Sequence, residues 1–410
     1  MASKQSLSSA PQTLTFTSST AFRHRLVQAT LTGKPIRITS IRSNSLTPGL
    51  LPHEVSFLRL LSSLTNGGVF QISETGTTLL YKPGLIGHTP SPNSATSSAS
   101  KIIKHVISAE SSTRSVTYFL EPTCILAPFS KSPFHIVFSG PGCVTSSTEQ
   151  DYSVDTFRTA ILPLYSHFNI IAKLECRINK RSCSPGGGGE VTLQFGHQIR
   201  LPPTLHLRNP GRIKRIRGVS FTLGVSAGNN QRMIHAAREV LNQFINDIYI
   251  YSEVGGHAPA AEGGKRGTPG FGMSLVATSS TDCIYSADWG SSTEVIRTPE
   301  EIGRGCALRL VEEIQKGGCV QRIGAKTVVS LMMMGSEDVG RVVLGKGIIE
   351  EEFVGHLRDW KAFGCGEALV KEWSGSEGLA GGGMGGMDEG KLISLGVVGK
   401  GVGNVGRKVA

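Results

Sequence analysis

Lys180 and Arg181 stand just ahead of a proline and four consecutive glycines, in a segment at 177–191 that reads R-I-N-K-R-S-C-S-P-G-G-G-G-E-V. A four-glycine run loses more backbone entropy on ordering than almost any other tetrapeptide. A folded domain keeps one where the backbone takes unusual angles or comes close to something bulky. The N–H groups of Gly186, Gly187, Gly188 and Gly189 can then face an anion, and the two cations add field. A floppy loop tip is the plain alternative. Strand-like sequence on both sides, at 174–178 and 191–195, argues for an ordered turn.

Two further groups have the chemistry to meet phosphate. The segment 208–217, R-N-P-G-R-I-K-R-I-R, carries five cations and no acid. Ile213 and Ile216 anchor a strand or turn there, while Lys214, Arg215 and Arg217 face out toward a phosphate backbone. An edge strand blunted by charge against aggregation explains the pattern nearly as well. The segment 353–363, F-V-G-H-L-R-D-W-K-A-F, predicts a helix with Phe353, Leu357 and Trp360 on one face. Arg358 and Lys361 lie together on another face with Asp359 beside them. One acid between two cations can bind phosphate, pair with a partner protein, or position a phosphate and move protons. A plain amphipathic surface helix is the alternative.

Other chemistries are excluded. There is no G-x-x-x-x-G-K-[ST] loop, no H-E-x-x-H pair and no G-x-S-x-G elbow. A G-x-G-x-x-G at 401–406 has only four residues after it, too few for the helix a dinucleotide needs. The eight cysteines form no C-x-x-C pair, so zinc spacing is absent and free thiols in a reducing compartment are expected. No metal and no cofactor is expected. Aromatic residues make up 6% of the chain, without the paired aromatics of base-stacking modules.

The elements that must position these groups can be read from periodicity. Helices are predicted at 21–32, ended by Gly33, and at 53–66, with Phe57, Leu60, Leu61 and Leu64 inward. Strands are predicted at 35–42, 69–73, 77–81 and 134–139. A helix beginning near Ser153 is expected to bend at Pro163. Thr298-Pro-Glu-Glu301 is a capping box with proline at the first helical position, and opens a helix to about Lys316. A strand at 391–398 closes the chain. A helix ending in glycine and leading into an apolar segment occurs near 21–41, 53–73 and 298–334, a weak internal repeat of an α+β unit.

With 410 residues, 39% of them hydrophobic and 18% charged, the chain is expected to be globular, with two or three domains or one with an insertion. A formal charge of +11 favours polyanions, nucleic acid before anionic membrane. No apolar run is long enough to span a bilayer, so no membrane partner is expected. Residues 1–16 read as a disordered extension without a signal-peptide core. Residues 87–115 and 374–390 read as flexible expansions.

Five segments in order carry a resemblance: L-T-G-K-P-I-R-I with the later I-R at 31–42, T-P-G-L-L-P at 47–52, E-T-G-T-T-L-L-Y-K-P-G at 74–84, S-V-D at 153–155, and P-G-G-G-G-E-V at 185–191. Together they resemble the RNA 3′-terminal phosphate cyclases, from about residue 22 to the C-terminus. The resemblance implies an α+β fold of repeated two-helix, four-stranded-sheet units (17–186 and 286–410) with a smaller α/β domain inserted at 187–285.

The active cyclases adenylylate a histidine and pass AMP to an RNA 3′-phosphate, which closes to a 2′,3′-cyclic phosphate. Four departures set this chain apart. Thr17-Ser-Ser-Thr-Ala-Phe-Arg23 replaces the family's glycine-rich lead-in to the first helix. Arg42 is kept, but Ser45, Leu51, His53 and Glu54 depart from the motif that follows it. Leu79 stands at an acidic position. The nucleophile segment corresponds to residues 339–347, which hold no histidine; His356 falls on the following helix. Without a nucleophile no adenylyl-enzyme forms. The details resemble the family's cyclase-like branch, which implies a nuclear and nucleolar factor for early pre-rRNA processing in small-subunit ribosome biogenesis. Its implied partners are pre-rRNA in the small-subunit processome and a ribosome-assembly GTPase. Arg341, Lys346, Arg358 and Lys361 are the expected contact residues, with Lys214, Arg215 and Arg217 in the insert, and no catalytic residue is expected. A pre-rRNA endoribonuclease using Arg358, Asp359 and Lys361 is the first alternative. A surviving cyclase using His356 is the second.

Overall fold

The computed structural model describes residues 13–87, 102–171, 174–196, 201–256, 268–291, 295–373 and 391–401. The expected expansion at 374–390 lies outside these residues, as do residues 1–12.

The first unit is β1 (Leu14–Thr17), α1 (Phe22–Thr32), β2 (Ile36–Thr39), α2 (Pro52–Leu64), β3 (Thr65–Asn66), β4 (Val69–Ile72), β5 (Leu79–Lys82) and β6 (Leu85–Ile86). The predicted helix faces are the ones that pack. Phe22, Leu26 and Ala29 of α1 and Phe57, Leu60, Leu61 and Leu64 of α2 are all buried. Gly33 ends α1 in the left-handed conformation. Glu54 accepts from the Leu51 N–H at 2.9 Å and so caps the start of α2. β1 pairs parallel with β2, and β2 and β4 each pair antiparallel with β5. The expected extension at 1–16 is therefore corrected at its end, because Leu14 and Phe16 belong to a sheet strand and pack against the core.

The second unit is β7 (Ile103–Val106), α3 (Thr117–Leu126), β8 (Phe134–Ser139), α4 (Val154–Thr156), β9 (Glu175–Lys180) and β10 (Glu190–Phe195). Its strand order, β7-β8-β10-β9, repeats that of β1-β2-β5-β4, again with one parallel and two antiparallel pairs. The expected expansion at 87–115 is corrected here too: Ile103 is buried on β7, the first strand of this unit. Ser153 caps α4 through its side chain. Beyond Thr156 the turn widens to a π-helix over Phe157–Ile161, then tightens to a 3-10 helix over Leu162–Phe168, where Pro163 withholds a backbone donor.

The third unit begins with β11 (His206–Leu207) and is then interrupted. The interruption is a separate sheet with two helices: β12 (Ile213–Leu223), α5 (Gly228–Leu241), β13 (Ile248–Gly255), β14 (Gly270–Ser279), β15 (Ile284–Gly290) and α6 (Pro299–Lys316). The third unit then resumes with α7 (Arg322–Met333), β16 (Val339–Gly345), α8 (Glu351–Ala362), β17 (Ala368–Glu372) and β18 (Leu392–Val398). Its order, β11-β16-β18-β17, is the same pattern a third time.

This topology corrects the insert boundary of 187–285. β10 pairs with β8 and β9, so it closes the second unit, and the inserted sheet runs from Ile213 to Gly290. It also corrects the third copy of the repeat at 298–334. The capping box at Thr298 is formed, but α6 packs on α5, β14 and β15 of the insert. Gly303 lets α6 cross α5 closely; a Cβ there would lie 2.2 Å from the Met233 carbonyl oxygen. The architecture is α+β, with three four-stranded, helix-backed units and one inserted unit of similar size.

Candidate nucleic-acid interface

The glycine turn is ordered and tightly seated. Gly187 and Gly188 have φ of 58° and 79°. A Cβ on Gly187 would lie 1.9 Å from the Pro141 carbonyl oxygen, and one on Gly189 would lie 2.4 Å from Ser182 Oγ. The Gly187 N–H donates to the Cys183 oxygen at 3.1 Å, and the Gly189 N–H to the Cys143 oxygen at 2.9 Å. Two of the four amides expected to face an anion are thus used inside the fold. Arg181 is not an anion-facing cation either. Its guanidinium holds both oxygens of Asp155 at 2.6 and 3.0 Å and both oxygens of Glu253 at 2.7 Å, over the Phe221 ring. These carboxylates raise the Arg181 pKa against the lowering effect of burial. The S-V-D motif and the glycine segment thus meet at one ion cluster that ties the second unit to the inserted sheet.

The basic run at 208–217 leads into β12, which has β13 on one side and β14 on the other. The edge-strand explanation of its charge is therefore corrected: β12 is an interior strand of the insert's sheet. A register shift between Ile213 and Arg215 turns Lys214 and Arg215 outward, and both are exposed. Arg217 is half-buried and pairs with Asp247 at 2.7 Å and 3.1 Å.

The other expected contacts fall on two elements. Arg341 is exposed on β16, and Lys346, just beyond it, reaches Glu372 at 3.3 Å. Arg358 and Lys361 share the outer face of α8. Asp359 does not stand with them. It is buried, and its carboxylate accepts from Arg25 Nε of α1 at 2.9 Å. The expected grouping of one acid with two cations is not formed, because Asp359 is the inward partner of another helix.

His356 is also turned inward and is 1% exposed. Its Nδ1 lies 3.4 Å from Gln28 Nε2, and its Nε2 lies 3.1 Å from both Ser330 Oγ and Trp360 Nε1. Burial, then the neighbouring His24 and Lys326, push its pKa well below the usual imidazole value. Neither ring nitrogen is presented to a nucleotide, so a nucleophilic role for His356 has no geometric support. Residues 339–347 themselves form β16 and one 3-10 turn.

The lead-in to α1 keeps a glycine-like backbone without glycine, with Ser18 at φ 66° and Ala21 at φ 53°. Arg42, also left-handed at φ 45°, is tied to the Gly49 oxygen at 2.9 Å, to Ser19 Oγ at 2.9 Å and to Glu54. Leu79, at the expected acidic position, is buried on β5. Sequence reasoning missed a cluster beside these residues. Arg23 and Arg114 lie over the Tyr118 ring at 4.7 and 4.4 Å; Arg23 pairs with Glu121 at 2.8 Å and Arg114 with Asp151 at 2.6 Å. Buried Glu121 is held at about 2, since Arg23 and His24 outweigh the cost of desolvation. The partners are scattered along the chain, so no local spacing announced them.

A family model described as RNA 3′-terminal phosphate cyclase matches residues 14–365. Among curated proteins, the rRNA processing protein rcl1 of Schizosaccharomyces pombe is 38% identical over 389 residues, covering 94% of this chain and 95% of that protein. The human RNA 3′-terminal phosphate cyclase-like protein is 38% identical over 85% of this chain and 90% of its own length. The rRNA processing protein RCL1 of Saccharomyces cerevisiae is 38% identical over 89% of this chain and 92% of its own length.

Proposed function

The chain belongs to the RNA 3′-terminal phosphate cyclase family, and from that premise we propose that it serves rRNA processing as an RNA-binding factor without cyclase activity. The observation that carries the reading is the nucleophile position. Residues 339–347 hold no histidine, and the histidine nearest in sequence, His356, has its ring locked between Gln28, Ser330 and Trp360. The tie of Arg42 to Glu54 supports the same reading, because it neutralises a cation the family motif retains. The relatives named for rRNA processing support the process.

The substrate RNA of this reading is small-subunit pre-rRNA within the processome, the place is the nucleolus, and the protein partner is a ribosome-assembly GTPase. Lys214, Arg215, Arg217, Arg341, Lys346, Arg358 and Lys361 supply the cationic contacts, mainly to phosphate, so they position rather than specify. The inward turn of Asp359 gives no support to an endoribonuclease site on α8.

The test has two arms. Incubation with α-labelled ATP and divalent metal, followed by a denaturing gel beside an active cyclase, is expected to leave no label on this protein. A label that persists and disappears in His356→Ala would sink the reading. Filter binding to a pre-rRNA fragment is expected to weaken in Lys214→Glu/Arg215→Glu and in Arg358→Glu/Lys361→Glu, with a shallower salt dependence.

A further inference from the structure

We propose that the β12–β13 part of the inserted sheet's face turned away from α5 and α6 is a base-stacking platform for single-stranded RNA, with Tyr249 and Tyr251 as the stacking rings and Lys214 and Arg215 as the flanking phosphate contacts. The proposal deepens the RNA-binding reading above and rests on it.

Alternation along β13 separates two faces. Ile248 and Ile250 are buried, whereas Tyr249 and Tyr251 are 52% and 58% exposed. Of the seven tyrosines, Tyr81, Tyr118, Tyr165 and Tyr285 are buried and Tyr152 is half-buried. Only Tyr249 and Tyr251 present half or more of their surface to solvent, and they are two residues apart on one strand. Their rings meet each other at 4.6 Å between centroids, with planes at 77°. In this edge-to-face arrangement one ring's edge covers one face of the other, while both residues stay more than half exposed.

The strand register sets the cations beside these rings. Arg217 is the cross-strand partner of Tyr249, and Val219 that of Tyr251. Arg215 lies two positions earlier on β12, opposite Thr278 of β14. Lys214 is exposed at the register shift next to it. Two acids adjoin the β12–β13 part of the face, and a third, Asp288 of β15, is buried against Ser153 and Thr156. Asp247 pairs with Arg217, and its pKa is lowered first by that hydrogen bond and also by the Arg217 and Arg215 charges. Glu253 is held by Arg181. The face thus keeps Lys214 and Arg215 as cations beyond the Arg217–Asp247 pair.

The platform is rigid because its back is fixed. On the opposite face the buried Asn230 side chain of α5 bonds Ser220 Oγ of β12 at 3.0 Å, and Ser252 Oγ and the Glu253 oxygen of β13 at 3.1 and 2.9 Å. Two exposed aromatic rings beside surplus positive charge suit unpaired bases on a phosphate chain. Every base offers a π-face, and a duplex hides those faces in its own stack. A protein partner would more often bury such rings among further apolar surface, and here the one apolar cross-strand neighbour is Val219, beside the Arg217–Asp247 pair and the exposed Arg215 and Lys214.

The experiment is fluorescence anisotropy on the full-length protein with labelled ten-nucleotide oligouridine and oligoadenosine, an abasic oligonucleotide of equal length, and a duplex. Tyr249→Ala/Tyr251→Ala is expected to lose about tenfold or more in affinity for the single strands, with the salt slope unchanged. Tyr249→Phe/Tyr251→Phe should stay within about twofold of the parent. Lys214→Glu/Arg215→Glu should flatten the salt slope. The abasic strand should bind the parent and the alanine variant equally weakly. The proposal falls if the alanine variant, with unchanged melting temperature, binds the single strands like the parent while the charge variant does not; RNA binding would then stand without stacking. Failure of the parent to bind any RNA would remove both the platform and the reading beneath it. Intact RNA affinity with loss of a co-purifying protein in the alanine variant would assign the face to a protein partner and overturn the proposal.

Discussion

Arg25 and Asp359 show how a residue pattern can be read correctly as chemistry and wrongly as a site. The helix carrying Arg358, Asp359 and Lys361 was legible from its apolar spacing, and Arg358 and Lys361 are indeed outward. Asp359 was placed beside them because only its own helix was visible; its partner lies 334 residues earlier. Both side chains are largely buried, 12% and 9% exposed. Removing one member of such a pair leaves an uncompensated charge and costs about 3–5 kcal/mol. Arg25→Ala is therefore expected to destabilise the fold by an amount in that range in urea unfolding. Asp359→Asn keeps an acceptor for Arg25 but removes its counter-charge, so it should cost less than that range, about 2 kcal/mol. Equal losses in the two variants would contradict the account. It follows that loss of any RNA cleavage in Asp359→Ala would have to be judged against Arg25→Ala, because both substitutions damage the same contact. His356 teaches the same lesson at lower cost: its position in the sequence drew attention to it, and its burial removes it from chemistry.

At the scale of elements, the helices and strands with clean periodicity were legible, and the way they are shared out among sheets was not. α1, α2, α6, α8, β8 and β18 fall where spacing and caps put them. β7, α3 and the insert's β13, β14 and β15 went unread from spacing, and of β12 only the start was read, as a strand or turn. α3 is buried all round, Glu121 included, and carries Pro122, so it shows no amphipathic stripe. The insert boundary was displaced because the resemblance starts the inserted domain directly at the glycine run. That run is instead a hairpin turn between β9 and β10 that must pass against the carbonyl of Pro141. The aromatic pair was overlooked for a related reason: overall aromatic content is low, and Y-I-Y at 249–251 has meaning only once one face of β13 is known to be open. Two substitutions test these close approaches. Gly187→Ala meets both a left-handed backbone and an oxygen 1.9 Å away, and Gly303→Ala meets the Met233 carbonyl oxygen at 2.2 Å. Each should cost at least about 2 kcal/mol. Thermal unfolding is the readout, and a loss under about 0.5 kcal/mol at either site would show that the neighbouring backbone gives way.

At the scale of the whole molecule, four of the eleven histidines are buried with lowered pKa values, and these set its response to acid. His24, His53, His105 and His356 are all at or below 8% exposure. Burial is the largest cause of a lowered pKa at each, bringing His53 and His105 to about 4. Glu121, beside His24, opposes burial there, while Arg23 and Lys326 add to it. In the unfolded chain these imidazoles take up a proton near pH 6.5. In the folded protein they resist until far lower, so between 6.5 and about 4 the unfolded state binds more protons. Stability must therefore rise with pH across that window, by up to about 1.4 kcal/mol per pH unit for each such histidine. Glu121 acts in the same direction lower down, since its folded pKa of about 2 makes its contribution present above the unfolded carboxyl value and lost as pH falls toward 2. Asp288, buried against Ser153 and Thr156 with a raised pKa, works the opposite way and offsets part of the loss. Four buried histidines, with His167 lowered by burial as well, outnumber the one aspartate and leave the histidines in control from pH 6.5 to 5. The melting temperature is expected to be highest near neutrality and to fall steadily as pH drops from 6.5 to 5, before the carboxylates titrate. His105→Gln, whose amide can still meet Ser56 Oγ, now 3.1 Å from His105 Nε2, should remove one proton from the slope and flatten it. A stability that stays level from pH 7 to 5, or a slope that His105→Gln leaves unchanged, would mean that these rings take up protons in the folded protein as readily as in the unfolded chain.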